Sequence, residues 1–578
     1  MTVFVKSAFI RVCLLLLVTP SLFSCEQNKE GIQFGEISSV RVDPPSATVV
    51  TRPGTPVELS FSAYATLYNG EEVPIDLVSW SSSNMSAGDV DEEGAFLTVD
   101  TNGGITDVLA NTMGIVGGAR VTVVFNTEVY DDIEESVSSA FVSASDSAST
   151  DQNLTMRYPI DGVIVPRNLE GLGFKWTDDL AGDSTVYRIR FRSEITDVSV
   201  YTSHGSWVSS SELWQMIAAA NRKGLVQVNI EAGEWDGSSL SDVRAGPTIE
   251  INVNRFDARG SVLYWGVFEE NQTGAILRIP IGQTEAEDFY TCEGNNCCLG
   301  CHAISDDADR MVVTHSGMKY SIVDIDDPYA PEEVVPVNDN KHASFKTLSP
   351  DGRFMFGVNN KRASLVDLDT GVELKNWNYG QRISHPDWSP DGRQIVYVRV
   401  TGADPSDMEF KGGEIVQVDF DEQNLELTNE RVLKPADPML NFYYPAYSPD
   451  GDWIAYNRAK NDQPRADGHI GCYSAPDAEV WLMSRDGSID IRLDNANGSG
   501  NLQNSYPRWG PLPDDEILWL AFSSRRGYPL NPTNLPQIWI VGIDPSKAFN
   551  GEDPSSSPIW LPGQSVNNDN HLPVWWSK

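Results

Sequence analysis

No apolar run in this 578-residue sequence approaches the ~20 residues that a membrane-spanning helix needs, and the stretch Val12 to Val18 falls well short. Basic residues are scarce as well: 42 Lys and Arg stand against 82 Asp and Glu, a net charge of −40. A chain with that field repels nucleic acid and anionic headgroups, so nucleic acid is excluded as a partner. Against these shortages, 46 Gly, 34 Pro and 16 Trp supply turns and core side chains. That balance suits an all-β chain better than a helical bundle, and the length calls for three or four domains. No Gly-x-Ser-x-Gly elbow occurs anywhere, and no catalytic residue is assigned.

Residues 1–25 carry a processing pattern. Lys6 and Arg11 make a positive start, Val12 to Val18 an apolar stretch, and Leu22-Phe23-Ser24-Cys25 closes it. The pattern resembles a bacterial lipoprotein signal with its lipobox, although Phe23 is bulkier than usual there. The resemblance implies a diacylated Cys25, a lipid anchor in a membrane, and a place on the periplasmic side or the cell surface. Two acyl chains give stable anchoring where one is marginal. The alternative is an ordinary signal peptide with an incidental Cys. Residues 26–36 would then form a short tether.

Between 37 and 126 the pattern is short alternating strands, among them Val40-Arg41-Val42 and Val57 to Phe61, with Trp80 as the expected core anchor. With Val90-Asp91 and Gly94 between its strands, this stretch resembles a bacterial Ig-like domain. Residues 127–156 are rich in Ser, Asp and Glu and read as a linker. Residues 157–256 resemble a fibronectin type III-like sandwich, with strands at Phe174-Lys175-Trp176, Tyr187 to Phe191 and Val226 to Ile230. One helix is expected inside it. Ser209 and Glu212 form a capping box, Trp214, Ile217 and Ala218 share a face, and Gly224 gives the stop. Both sandwiches read as spacers or adhesive modules.

After about Asp257 the sequence repeats. Ser349-Pro350-Asp351-Gly352, Ser389-Pro390-Asp391-Gly392 and Ser448-Pro449-Asp450-Gly451 are three copies of one turn, each followed by a β-rich run. Degenerate copies stand at Ile304 to Asp307 and Trp509-Gly510-Pro511. A second strand recurs downstream of each turn, as in Ala363 to Asp367 and Gln537 to Ile540. Val262-Leu263-Tyr264-Trp265 lacks the strand that should precede it, and Leu572-Pro573-Val574-Trp575-Trp576 repeats the pattern of Tyr506-Pro507-Arg508-Trp509. The expected fold is therefore two sandwiches followed by a six-bladed β-propeller over 257–578, closed by strands from both ends. The repeat resembles the propeller of the TolB-like family. That family carries an N-terminal α/β domain in place of the two sandwiches, so the resemblance bears on fold rather than role.

Apart from Cys13 and Cys25, the cysteines are Cys292, Cys297, Cys298, Cys301 and Cys472. Three chemistries are open for Cys292 to His302. Cys298-Leu299-Gly300-Cys301-His302 has the form of a c-type haem attachment site, with His302 as axial ligand. Disulfides would staple the same loop in an oxidising compartment. A zinc knuckle of three Cys and His302 is the third. His302, His342, His385 and His571 each precede a turn by a few residues, which places them at one mouth of the central channel. They are candidate ligands there, or polar lining. The Asp-rich stretch Asp324 to Asp327 lacks a calcium loop and reads as a solvated turn. The expected role is a non-enzymatic envelope lipoprotein whose propeller binds a protein or glycan partner. The alternative is a redox protein with covalent haem c.

Overall fold

The computed structural model describes residues 36–144, 149–268, 273–291, 299–305, 310–338, 340–402, 406–461, 472, 475–513, 516–529 and 534–578. Cys25, Cys292, Cys297, Cys298 and His469 lie outside the described residues. Among the described residues, no helix is long and apolar enough to cross a membrane.

Six four-stranded antiparallel sheets occupy the second half of the chain. Blade one comprises His302–Ile304, Arg310–Thr314, Tyr320–Asp324 and Glu332–Val335, and blade two Phe345–Leu348, Phe354–Asn359, Arg362–Asp367 and Glu373–Asn378. Blade three runs from Ile383–Trp388 to Glu426–Lys434, blade four from Leu440–Tyr447 to Asp490–Arg492, and blade five from Ser505–Trp509 to Ile559–Trp560. Blade six takes its innermost strand from the C-terminus. Asn568–Trp576 pairs antiparallel with Ser261–Phe268, which pairs onward with Thr273–Pro280 and then Glu287–Tyr290. Each innermost strand touches the next around the ring, so the fold is the all-β propeller expected, with no open sheet edge at its seam.

The repeated turn has a simple chemistry. Ser349 Oγ donates to Asp351 Oδ1 (2.6 Å) and accepts the Phe354 N–H (2.9 Å), while Gly352 takes φ +67°. Ser389 with Asp391 and Ser448 with Asp450 repeat the arrangement. Serine and aspartate thus tie the turn's own backbone, and glycine supplies the left-handed residue.

The N-terminal half also consists of sheets, and it departs from expectation in three places. The described part of the supposed linker carries regular structure: one strand runs from Ile115 to Asp131, pairing first with Gly104–Thr112 and Ser46–Thr51, then with Thr196–Thr202. A helix, Ser136–Ala144, follows it and buries Val137 and Phe141 against Val186 and Tyr201. Its polar composition hid those two apolar residues four apart, which share a helix face. Trp80 is only half-buried, and Phe61, Phe96, Val108 and Val121 form the centre of that first core. The expected helix is Ser211–Ala220, with Trp214, Ile217 and Ala218 buried. Its cap is Ser210, whose Oγ accepts the Leu213 N–H, rather than Ser209.

The second β unit is more than a spacer. Tyr158 stands edge-on to Trp539 and Tyr528, and its hydroxyl accepts the Trp560 N–H (3.1 Å). Its core is continuous with those of blades five and six. Shared burial of that kind makes the two units one cooperative body.

Candidate functional site

A bulge repeats on four of the innermost strands. His385-Pro386, Tyr444-Pro445, Tyr506-Pro507 and Leu572-Pro573 each place two residues opposite one on the neighbouring strand, and the residue before proline has φ +47°, +50°, +58° and +51°. Proline has no N–H to give the ladder, so each pair drops out of register and turns its first side chain inward. The rings then meet across the channel. His385 lies 3.8 Å from Tyr444 and 4.3 Å from Phe345 between centroids, and Tyr444 lies 4.2 Å from Tyr506. The Tyr444 hydroxyl donates to that of Tyr506 (2.9 Å). Leu572 and the half-buried Cys301 pack against the same cluster, which plugs the channel.

On the side of the repeated turns the channel opens into a cavity of about 310 Å³. Its charged and titratable lining is His302, Lys346, Asp387 and Arg508, and Trp388, Trp509 and Trp575 form apolar walls. Lys346 Nζ donates to the Cys301 carbonyl (2.6 Å) and to Thr314 Oγ1. Among the described residues, Arg508 donates to the Pro507 carbonyl (3.0 Å). Neither cation has a carboxylate within ion-pair distance among the described residues. Asp387 Oδ2 accepts the Tyr447 N–H (2.7 Å). Burial pulls the Lys346 ammonium down to about 8, partly offset by Cys301.

Of the residues singled out by sequence, three histidines lie on innermost strands and one does not. His302 is 7% exposed and lines the cavity, with neither ring nitrogen hydrogen-bonded among the described residues. The backbone of Leu263 and Gly300 approaches its ring without completing a hydrogen bond. Burial, with Lys346 and Arg508 adding to it, pushes its pKa down to about 3. His385 sits in the aromatic plug, with neither nitrogen hydrogen-bonded among the described residues, and burial beside Arg508 holds it well below the ordinary histidine range. His571 lies against Trp265 (6.0 Å) with Nε2 3.8 Å from Asp569. His342 is exposed and bridges to Lys319, because the innermost strand of blade two begins only at Phe345. A position seven residues before the turn falls outside that short strand. Among the described residues, no group of three or more His, Cys, Asp or Glu is placed to hold a metal ion. Of the haem motif, Cys298 lies outside the described residues, whereas Leu299, Gly300, Cys301 and His302 are described. Cys472 is buried in the plug's cluster, its Sγ donating to the Met408 carbonyl (2.9 Å). The Asp-rich stretch is engaged in the structure: Asp324 accepts from Arg310, and Asp326 from Lys578 (both 2.9 Å).

Lys346, Asp387 and Arg508 escaped the sequence reading. Single charged residues in strands give no signal until the blade's inner face is known, yet Pro386, Pro445 and Pro507 at a constant offset before the turn marked that face.

No family model matches the chain. It is 27% identical to the Uncharacterized protein Atu1656 of Agrobacterium fabrum over 182 residues, 30% of this chain and 53% of that protein, so it spans about half the length of that relative. Solved structures similar to it include a putative TolB from Agrobacterium tumefaciens (16% identity, 55% of this chain and 98% of that one, TM-score 0.30). Others are an oligogalacturonate lyase in complex with manganese (17%, 52% and 75%, TM-score 0.29) and Kuenenia stuttgartiensis hydrazine synthase (14%, 43% and 70%, TM-score 0.29). Such distant likenesses carry nothing about role, and the fold assignment rests on the six sheets themselves.

Proposed function

We propose that this chain is a membrane-anchored cell-envelope lipoprotein whose β-propeller is a binding module for a protein or glycan of the envelope. The observation that carries the binding half is the axial cavity, ringed by turns from several blades and lined by cations and tryptophans. Concave sites with apolar walls and a few convergent polar groups are the usual places for ligands. The anchoring half rests on Lys6, Arg11, the short apolar stretch and Cys25. In the native host, metabolic acyl labelling should mark the protein, and Cys25→Ala should move it from the membrane to the soluble fraction. Chemical crosslinking of the anchored protein should give a discrete adduct. An unprocessed N-terminus at Met1 would overturn the anchor, and absence of any adduct would overturn the module.

Covalent haem c at Cys298, Cys301 and His302 is the competing reading, favoured by the unpartnered His302 ring. It requires a Soret band from protein matured with a haem-attachment system. The binding-module reading requires none.

A further inference from the structure

The axial cavity concentrates positive charge inside a protein whose net charge is −40. Among the described residues its charged lining is Lys346, Arg508 and Asp387, which leaves one positive charge in excess. Lys346 is 7% exposed, and among the described residues its ammonium donates to a carbonyl and a hydroxyl, with Cys301 nearby and no carboxylate in ion-pair reach. A buried cation without a carboxylate partner is costly. His302, 7% exposed, adds a second unsatisfied group: its ring lines the same cavity, and among the described residues neither nitrogen completes a hydrogen bond. Buried polar groups left this way are uncommon and call for an explanation. A neutral imidazole still carries one N–H, which an anionic oxygen can accept.

We infer that the cavity is a carboxylate site, taking one small organic monocarboxylate held by Lys346, Arg508 and His302, with its apolar body against Trp388, Trp509 and Trp575. A single excess positive charge matches a monoanion and not a phosphate dianion. The volume, about 310 Å³, lies at the small end of the ~300–1,000 Å³ range of ligand pockets, which fits a compact acid. Charge-assisted hydrogen bonds from an ammonium and a guanidinium supply the strength, and the tryptophan walls supply shape. The inference rests on the binding-module reading and names the chemistry that the module's cavity recognises.

The test is isothermal titration of the unanchored protein, residues 26–578, with phenylacetate, its uncharged isostere phenylacetamide, and inorganic phosphate. Phenylacetate should bind. The amide should bind at least roughly tenfold more weakly, a difference of about 1.4 kcal/mol. Lys346→Met and Arg508→Gln should each weaken phenylacetate by a similar factor, and phosphate should fail to displace it at equal concentration. Arg508 is only half-buried, so its variant decides the matter if Lys346→Met does not fold. Equal binding of acid and amide, unchanged affinity in the variants, tighter binding of phosphate, or no binding of phenylacetate at millimolar concentration would each overturn the carboxylate site. A crosslinked envelope partner would still stand after such a failure, which separates this inference from the broader reading.

Discussion

Trp576 is the side chain on which ring closure turns, so its removal gives the clearest test of the propeller. It is 1% exposed, lies edge-on to Phe289 with centroids 5.4 Å apart, and shares a cluster with Leu263, Ile276, Met311 and Val323. Met311 and Val323 belong to blade one, whereas Leu263 and Ile276 belong to blade six. One indole therefore joins the last strand of the chain both to its own sheet and to the next. Trp576→Ala should cost ~3–5 kcal/mol, the usual loss for a buried aromatic. In a body this large each kcal/mol moves the midpoint by ~2 °C, so Tm should fall by roughly 6–10 °C in calorimetry. Deletion of 570–578 also removes Trp575, whose Nε1 donates to the Arg259 carbonyl (2.8 Å), together with most of the ladder to Ser261–Phe268. The combined loss approaches the whole stability of a domain, ~5–15 kcal/mol, and the truncated protein should lose its cooperative transition. Gly260→Ala should behave like the truncation, because an added Cβ would lie 1.9 Å from the Trp576 carbonyl oxygen at φ +79°. Leu512→Ala, at an exposed position, should change stability by less than ~0.5 kcal/mol. Unchanged melting of both Trp576→Ala and the truncation would refute the closure.

Two further outcomes follow from the channel. Burial pushes His302 down to about 3 and His385 well below its usual range, whereas the unfolded chain protonates both near ~6.5. Their contribution to stability is complete above ~6.5 and declines as pH falls, because only the unfolded state then takes up those protons. Tm should drop between pH 7 and 5, and His302→Gln with His385→Gln should flatten that drop. His315, also shifted down by burial, leaves a smaller residual slope. An unchanged slope in the double variant would show that the two rings are solvated. Tyr506→Phe removes the acceptor of the Tyr444 hydroxyl and should cost ~1 kcal/mol by denaturant unfolding, with phenylacetate affinity unchanged because the plug lies outside the cavity.

Much of the propeller was legible because its turns are local chemistry. Ser, Pro, Asp and Gly act within five residues of one another, so three copies are visible without any tertiary knowledge. The closing strand was legible for a related reason: Leu572 to Trp576 repeats Tyr506 to Trp509, including the proline that makes the bulge. Long-range features were less visible. The strand Ile115 to Asp131 serves two sheets, and nothing in its composition marks the residue at which it changes partners. Phe141 was lost in a polar stretch, and the cap of the Ser211–Ala220 helix fell one residue from its expected place because Ser209, Ser210 and Ser211 are all competent. His342 was placed by counting back from its turn, but blade two has no proline bulge and its innermost strand is only four residues long. The cavity was the least legible of all. Lys346 and Arg508 look like ordinary strand residues until the blades are arranged around the axis, and only then does it show that neither meets a carboxylate among the described residues.

The central claim, that the propeller binds its partner through the turn-side cavity, is tested most directly by position-specific photocrosslinking in the native envelope. A photoreactive residue at Leu512, on the cavity's lining and 56% exposed, should trap a discrete adduct. The same group at Leu77, 89% exposed in the first β unit, should trap none, and Arg508→Gln should diminish the adduct from position 512. An adduct from position 77 alone, or one from 512 that is indifferent to Arg508→Gln, would contradict the account.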